Sequence, residues 1–79
     1  MKQKFIAAAV QMVSGTDVAA NLARAAALVA KAAAAGAAFV VLPEYFCLMG
    51  RQDGDKVAIC EEMGNGPLQT ALAAMARDN

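Results

Sequence analysis

Two short apolar runs in the sequence predict buried β-strands. Residues 5–13 and residues 38–42 are almost entirely apolar, and they lack the alternation of apolar and polar positions that a half-exposed strand shows. Such runs are typical of strands that are covered on both faces, as in α/β proteins. Pro43 ends the second run, because proline has no N–H group to donate to a neighbouring strand.

The segment between these runs, residues 18–35, has the pattern of an amphipathic helix. Its apolar positions recur on one face: Val18, Leu22, Ala25, Ala26, Val29 and Ala33. Its polar positions are expected on the opposite face: Asn21, Arg24 and Lys31. Asp17 is suited to cap the helix N-terminus, since its carboxylate accepts hydrogen bonds from free backbone N–H groups. Gly36 is suited to end the helix.

Strand, helix and strand in this order form a βαβ unit with parallel strands. A second helix is predicted after residues 64–67, with Pro67 at its first position. Its apolar residues recur at helical spacing: Leu68, Leu72 and Met75. Its polar residues are expected to face water: Gln69, Arg77 and Asp78. The predicted fold class is therefore α/β, in the order β-α-β-α.

The composition argues against several classes of site and partner. The 79 residues include no His, two Cys, seven basic residues and seven acidic residues. Without His, the chain holds no Ser–His–Asp triad, no Cys–His dyad and no His-ligated metal. A formal charge of zero gives no reason to expect a nucleic acid or an anionic membrane as partner. We expect no cofactor, no metal, no nucleic-acid partner and no membrane partner.

The hydrophobic fraction of 59% is high for a chain of 79 residues. A chain of this length buries only about 60–65% of its unfolded surface, so the excess suggests a piece of a larger core or an obligate assembly. The longest later apolar run, residues 32–42, is about half of a membrane span. The uninterrupted apolar run from Phe5 to Val10 stops at Gln11, and it is too short for the apolar region of a signal peptide. We therefore expect a cytoplasmic protein.

Glu44 is the most informative candidate for chemistry. It directly follows the second apolar run, at the carboxyl end of a predicted parallel strand, where open α/β proteins bind their ligands. Beside Tyr45 and Phe46, a partly desolvated carboxylate would suit a general base. A solvated loop glutamate, or one that caps a nearby backbone N–H, is the alternative. Residues 14–16 could hold an anion at the helix N-terminus, but an ordinary turn is favoured there.

Several segments, in order, resemble the N-terminal portion of the nitrilase (carbon–nitrogen hydrolase) superfamily. They are residues 10–12, Asn21 in its Ala-rich helix, residues 36–46 with Leu42-Pro43-Glu44, and Gly66-Pro67 with the helix after it. The resemblance implies a four-layer α-β-β-α sandwich and a Glu–Lys–Cys triad. It makes Glu44 the general base, with Tyr45 and Phe46 near the site. In such a triad a Cys thiolate attacks an amide or nitrile carbon, the Lys stabilises the developing anion, and water activated by the Glu hydrolyses the thioester.

The resemblance carries over only one of the three catalytic residues. The family's Lys and nucleophilic Cys lie farther along the chain than any residue of this sequence. Cys47, Cys60 and Lys56 do not match those positions; we expect both Cys to be small buried residues and Lys56 to be solvated. The resemblance thus implies that residues 1–79 are the N-terminal fragment of one hydrolase domain and that this fragment is inactive alone.

Residues 42–46 and the run up to Gly66-Pro67 look most like the omega-amidase and deaminated-glutathione-amidase type. This likeness implies a small amide- or nitrile-bearing substrate, favours an amide that carries a carboxylate, and implies a homo-oligomer. Two alternatives stay open. One is a non-enzymatic α/β fragment that serves only as part of an assembly. The other is an independent small binding module, which is disfavoured because its strand edges and an apolar helix face would be exposed.

Overall fold

The chain folds as a mixed α/β unit in which a parallel strand pair lies beside two long helices. The computed structural model describes residues 4–52 and 54–79. Its elements follow in this order: β1 (Ile6–Ala9), α1 (Val18–Ala34), β2 (Ala37–Val41), α2 (Gly54–Ala58) and α3 (Pro67–Asp78). The predicted order of strand, helix, strand and helix is confirmed, with the short α2 added in the segment for which the sequence predicted no element.

Strands β1 and β2 pair in parallel, as the βαβ pattern predicts. Ala7, Ala8 and Ala9 lie opposite Phe39, Val40 and Val41, and the register shifts between Ile6 and Ala7. β1 ends at Ala9 rather than at the predicted residue 13, because β2 offers partners only as far as Val41. The last contact is the N–H of Val10, which donates to the Val41 carbonyl at 2.9 Å.

Both ends of α1 lie where the sequence predicts them. The Asp17 carboxylate accepts a hydrogen bond from the N–H of Ala20 at 3.3 Å, so it caps the helix N-terminus. Gly36 follows the helix with φ +98°, and its N–H donates to the Ala33 carbonyl at 2.9 Å. Only glycine adopts such a φ with little steric cost. A Cβ at this position would also lie 3.3 Å from the Ile6 side chain.

Buried apolar side chains of α1 and α3 form the core. Ala25, Val29 and Met75 are at most 8% exposed and belong to one cluster. Partly buried apolar residues surround it: Met12, Leu22, Ala26, Val40, Leu42, Phe46, Ala71 and Leu72. The core therefore lies between the two long helices and the face of β2 that carries Val40.

The opposite face of the sheet is open among the described residues. Phe39 is 58% exposed and Val41 is 51% exposed, and their β1 partners Ala7 and Ala9 are exposed too. The prediction that both strands are covered on both faces is wrong for this part of the chain. The reason is geometric: α1 and α3 both pack on the side of Val40, and no described element packs on the other side.

The chain consequently exposes much surface for its length. Its accessible surface is 6074 Å², whereas a compact protein of this mass exposes about 4,500 Å². Its radius of gyration is 13.9 Å, against about 11.6 Å for a compact domain of the same length. The excess agrees with the high apolar content of so short a sequence.

Polar residues of the helices follow the predicted pattern only in part. Arg77 and Asp78 are exposed, and they form an ion pair of 3.1 Å with each other. Gln69, however, is partly buried and hydrogen-bonded to the segment before α3, so the prediction that it faces water is wrong. Over residues 4–52 and 54–79, the helices are too short or too polar to cross a membrane.

Truncation of Met75 should destabilise the fold much more than truncation of Met63. Met75 is 8% exposed inside the core cluster, so Met75→Ala leaves a cavity and should lower the free energy of unfolding by about 2–4 kcal/mol. Met63 is 99% exposed, so Met63→Ala is the matched control and should change it by less than about 0.5 kcal/mol. Urea denaturation followed by circular dichroism measures both. Equal midpoints for the two variants would contradict this description of the core.

Candidate functional site

Glu44 lies on a tight turn just beyond the carboxyl end of β2. The turn spans residues 43–46 and is closed by the N–H of Phe46, which donates to the Pro43 carbonyl at 3.1 Å. Glu44 and Tyr45 are its two central residues, and both are exposed. The structure therefore places Glu44 at the sheet edge that the sequence indicates. The partial desolvation expected there is absent, since apolar neighbours among the described residues do not enclose the carboxylate.

The chain after this turn is held by the loop that precedes α1, residues 10–17, which we call the βα loop. The Ser14 hydroxyl donates to the Phe46 carbonyl at 2.8 Å. The N–H of Met49 donates to the Gly15 carbonyl at 3.0 Å. Leu48, between these contacts, is only 7% exposed. Residues 14 and 15 thus support the segment that follows Glu44.

Asn21, in the first turn of α1, adds a buried polar side chain to these contacts. Its side-chain NH₂ group donates to the Cys47 carbonyl at 2.8 Å and to the Gly15 carbonyl at 2.9 Å. Its side-chain oxygen accepts from the N–H of Gly15 at 3.0 Å. The side chain is 5% exposed, and both of its polar atoms are hydrogen-bonded. We call this set of three hydrogen bonds the Asn21 bridge.

The prediction that Asn21 lies on the solvent face is wrong. Asn21, Ala25 and Val29 are four residues apart and are the buried positions of α1. Residues at i, i+4 and i+8 share one face of a helix, so the spacing itself was a signal for burial. The polarity of the side chain concealed this signal, because the burial depends on three backbone groups, two of Gly15 and one of Cys47, that satisfy the amide.

Glu44 also lines an open cleft of about 540 Å³. One wall comes from the turn and the residues after it: Glu44, Tyr45, Phe46, Cys47 and Leu48. The other wall comes from the segment before α3 and from α3 itself: Ile59, Cys60, Glu61, Leu68, Gln69 and Leu72. The volume suits a small organic molecule. No basic side chain is among the described residues that line it.

The two cysteines lie on opposite walls of this cleft, and both are free thiols. Cys47 is partly buried, whereas Cys60 is exposed, so the prediction that both are buried is wrong for Cys60. Cys60 follows the short α2 at the surface, and its N–H donates to the Val57 carbonyl at 3.2 Å. The Lys56 side chain lies outside the described part of the structure. The described residues contain no group of three or more His, Cys, Asp or Glu that could hold a metal ion.

Glu61, which the sequence analysis did not single out, anchors the start of α3. Its carboxylate accepts hydrogen bonds from the N–H groups of Leu68 at 2.6 Å and Gln69 at 3.0 Å, and from the Gln69 side chain at 3.1 Å. Desolvation acts to raise the pKa of Glu61, but these hydrogen bonds together outweigh it, so the pKa lies below its ordinary value of 4.5. These hydrogen bonds occupy the Glu61 carboxylate, which therefore supports the wall of the cleft that includes α3.

Gln69 completes this anchor from the helix side. Its side-chain oxygen accepts from the N–H of Gly64 at 2.6 Å, and its side-chain NH₂ group donates to the Asn65 carbonyl at 3.2 Å. Gly64 and Gly66 have φ of +80° and +149°, which lets the chain turn sharply before Pro67. The turn and Glu61 together fix the direction in which α3 leaves.

Comparison with known proteins identifies the family. Residues 6–79 match the family model described as carbon-nitrogen hydrolase. The chain belongs to the carbon–nitrogen hydrolase family. The match confirms the superfamily resemblance, and it covers every element from β1 to α3 of this carbon–nitrogen hydrolase chain, including the Glu44 turn. No solved structure matches the chain.

Glu61→Gln should remove a pH-dependent contribution to stability. Because the pKa of Glu61 is lower in the folded chain, the ionised carboxylate stabilises the fold above its ordinary pKa of 4.5, and this contribution is lost as the pH falls through the lowered value. The difference in unfolding midpoint between wild type and Glu61→Gln should therefore be constant near neutral pH and shrink below about pH 4.5.

The matched control for this experiment is Glu62→Gln, since Glu62 is exposed and next in sequence. Its stability profile between pH 3 and pH 7 should follow that of the wild type. A Glu61→Gln profile parallel to the wild type at every pH would show that the carboxylate charge does not hold α3.

Proposed function

We propose that this chain is the N-terminal portion of a single carbon–nitrogen hydrolase domain with a four-layer α-β-β-α sandwich. The complete enzyme would cleave the C–N bond of a small amide or nitrile, with Glu44 as general base. One observation carries the proposal: Glu44 is an exposed carboxylate on a supported turn that lines the cleft, in a chain whose residues 6–79 match the family. Parallel-sheet enzymes use this edge for catalysis.

Glu44 acts twice in the proposed reaction. It first accepts the proton of a cysteine thiol, whose thiolate attacks the amide carbon and displaces the amine as a thioester forms. The amine leaves with a proton that Glu44 returns. Glu44 then accepts a proton from water, which hydrolyses the thioester and regenerates the thiol. A lysine ammonium stabilises the oxyanion at each addition.

The nucleophile and the lysine are assigned to positions that this sequence does not contain. Cys47 and Cys60 do not match the family's nucleophile position. Cys47 also follows Glu44 by only three residues on the same loop, and its carbonyl is held by Asn21. A complete site therefore needs further residues facing the Glu44 wall of the cleft.

The substrate class follows from the resemblance to the omega-amidase and deaminated-glutathione-amidase type. We assign the enzyme a small amide that also carries a carboxylate. Tyr45 and Phe46 offer the apolar contacts for its carbon chain. The cation that binds its carboxylate would come from outside the described lining, which has no basic residue. We further propose that the enzyme is cytoplasmic and a homo-oligomer.

One observation favours a second candidate, a non-enzymatic α/β fragment of an assembly. The open sheet face exposes Phe39 and Val41, and the total surface of 6074 Å² exceeds the about 4,500 Å² of a compact chain. Packing against other chains would cover this face without any chemistry at Glu44. The hydrolase needs the Glu44 carboxylate for its reaction, whereas the non-enzymatic fragment does not.

Glu44→Gln in the full-length protein should abolish turnover and leave stability unchanged. The amide keeps the size of the side chain but cannot accept the thiol proton. The value of kcat should therefore fall by about 10²-fold to 10⁴-fold. The side chain is exposed, so the unfolding midpoint should not move. Ammonia release from a panel of small amides and nitriles measures turnover, with Glu62→Gln as control. Turnover retained in Glu44→Gln would refute the role of Glu44.

The chain of 79 residues, assayed alone, should release no ammonia above the buffer rate. The physical reason is that a general base without a matched nucleophile and a matched lysine cannot form the thioester. The same substrate panel measures this, with the full-length protein as positive control. Turnover by the isolated chain that disappears in Cys47→Ala or Cys60→Ala would contradict the proposal and assign the nucleophile to this chain.

A further inference from the structure

We infer that Asn21 is a positioning residue for Glu44 and acts through the backbone of Cys47. This inference rests on the proposed function of Glu44 and adds a residue to it. Asn21 is not among the residues that line the cleft, so it does not touch a molecule bound there. Its effect on chemistry must pass through the chain segment that it holds.

The sheet fixes the N-terminal end of the Glu44 turn. Val41, three residues before Glu44, ends β2, and its carbonyl accepts from the N–H of Val10 at 2.9 Å. The turn is also closed internally by the hydrogen bond from Phe46 to Pro43. These contacts set where the turn begins and leave the direction of the following chain to other groups.

A residue of α1 fixes the chain at the C-terminal end of the Glu44 turn. The Cys47 carbonyl, three residues after Glu44, accepts from the Asn21 side chain at 2.8 Å across 26 positions of sequence. The same side chain is hydrogen-bonded to both the N–H and the carbonyl of Gly15. Gly15 in turn accepts from the N–H of Met49. The Asn21 bridge therefore joins the two loops that follow the carboxyl ends of β1 and β2.

Burial makes this bridge stiff. Asn21 is 5% exposed and its partner Cys47 is partly buried, so water has limited access to the hydrogen bond between them, whereas Gly15 is exposed. The Glu44 side chain is exposed, so its direction depends on the backbone of the turn. A general base must lie within hydrogen-bond reach of the proton that it takes, and a displacement of about 1 Å can cost about 100-fold in rate.

Two substitutions in the full-length protein test the inference. Asn21→Ala removes all three hydrogen bonds and keeps a residue with high helix propensity. Asn21→Asp keeps the size of the side chain and an acceptor for the N–H of Gly15, but turns a carboxylate oxygen toward two carbonyls. The exposed Asn65 provides the matched control Asn65→Asp, with the same change of charge.

The expected result is a fall in kcat of about 10-fold to 100-fold for both Asn21 variants with KM nearly unchanged, measured well below the unfolding temperature. Hydrogen exchange should quicken at the N–H groups of Phe46 and Met49 and stay slow in α3. Asn65→Asp should behave as wild type. A purely structural role predicts instead a lower melting temperature with wild-type kcat in the folded protein.

Each other outcome is decisive. Folded Asn21 variants with wild-type kcat, in a protein that Glu44→Gln inactivates, overturn the inference and leave the function of Glu44 intact. Wild-type kcat in Glu44→Gln as well overturns the proposed function itself. If Asn21→Asp fails to fold, Asn21→Ala decides. If both fail to fold, Asn21 serves the fold alone and the inference is wrong.

Discussion

The buried amide of Asn21 is the contact on which the arrangement of this chain depends. A polar side chain with 5% exposure is tolerated because three backbone hydrogen bonds replace its contacts with water. These bonds join two loops that are far apart in sequence and meet only because β1 and β2 are parallel. The segment that follows the Glu44 turn is held where the two loops meet. A single helix residue thus couples the sheet topology to the place of the candidate base.

The cleft beside Glu44 has two walls that are built differently. The Glu44 wall is a loop held by the βα loop and α1, whereas the facing wall is held by Glu61 and Gln69 at the start of α3. Both walls are positioned by polar contacts to backbone groups, and one residue of each wall, Phe46 and Leu72, also packs against the apolar core cluster. Functional residues commonly lie on loops that a rigid scaffold positions in this way, because the loops remain open to solvent.

The open sheet face has the opposite character. Phe39 and Val41 are paired with Ala7 and Ala9 of β1, and their side chains are half exposed or more. A two-stranded sheet with helices on one side satisfies its backbone hydrogen bonds but leaves apolar area in water. The same exposure explains why the high apolar content of the sequence does not produce a large core in these 79 residues. Surface of this kind gains most from packing against a further layer of protein.

The sequence alone determined the presence and order of β1, α1, β2 and α3, because their signals are local, whereas it did not predict the short α2. Apolar runs, the cap at Asp17 and the glycine at residue 36 act through neighbouring residues, and the structure agrees with the predicted bounds of α1 and with the parallel strand pair. The position of Glu44 at the strand end follows from the same local order. Tertiary structure decided the burial of Asn21, the hydrogen bonds of Glu61 and Gln69, the exposure of Cys60 and the open face of the sheet. Helical spacing indicates which face of α1 Asn21 shares, but the Cys47 carbonyl that its amide binds comes from 26 residues away. The open face likewise depends on which layers pack on the sheet, and no local pattern encodes that packing.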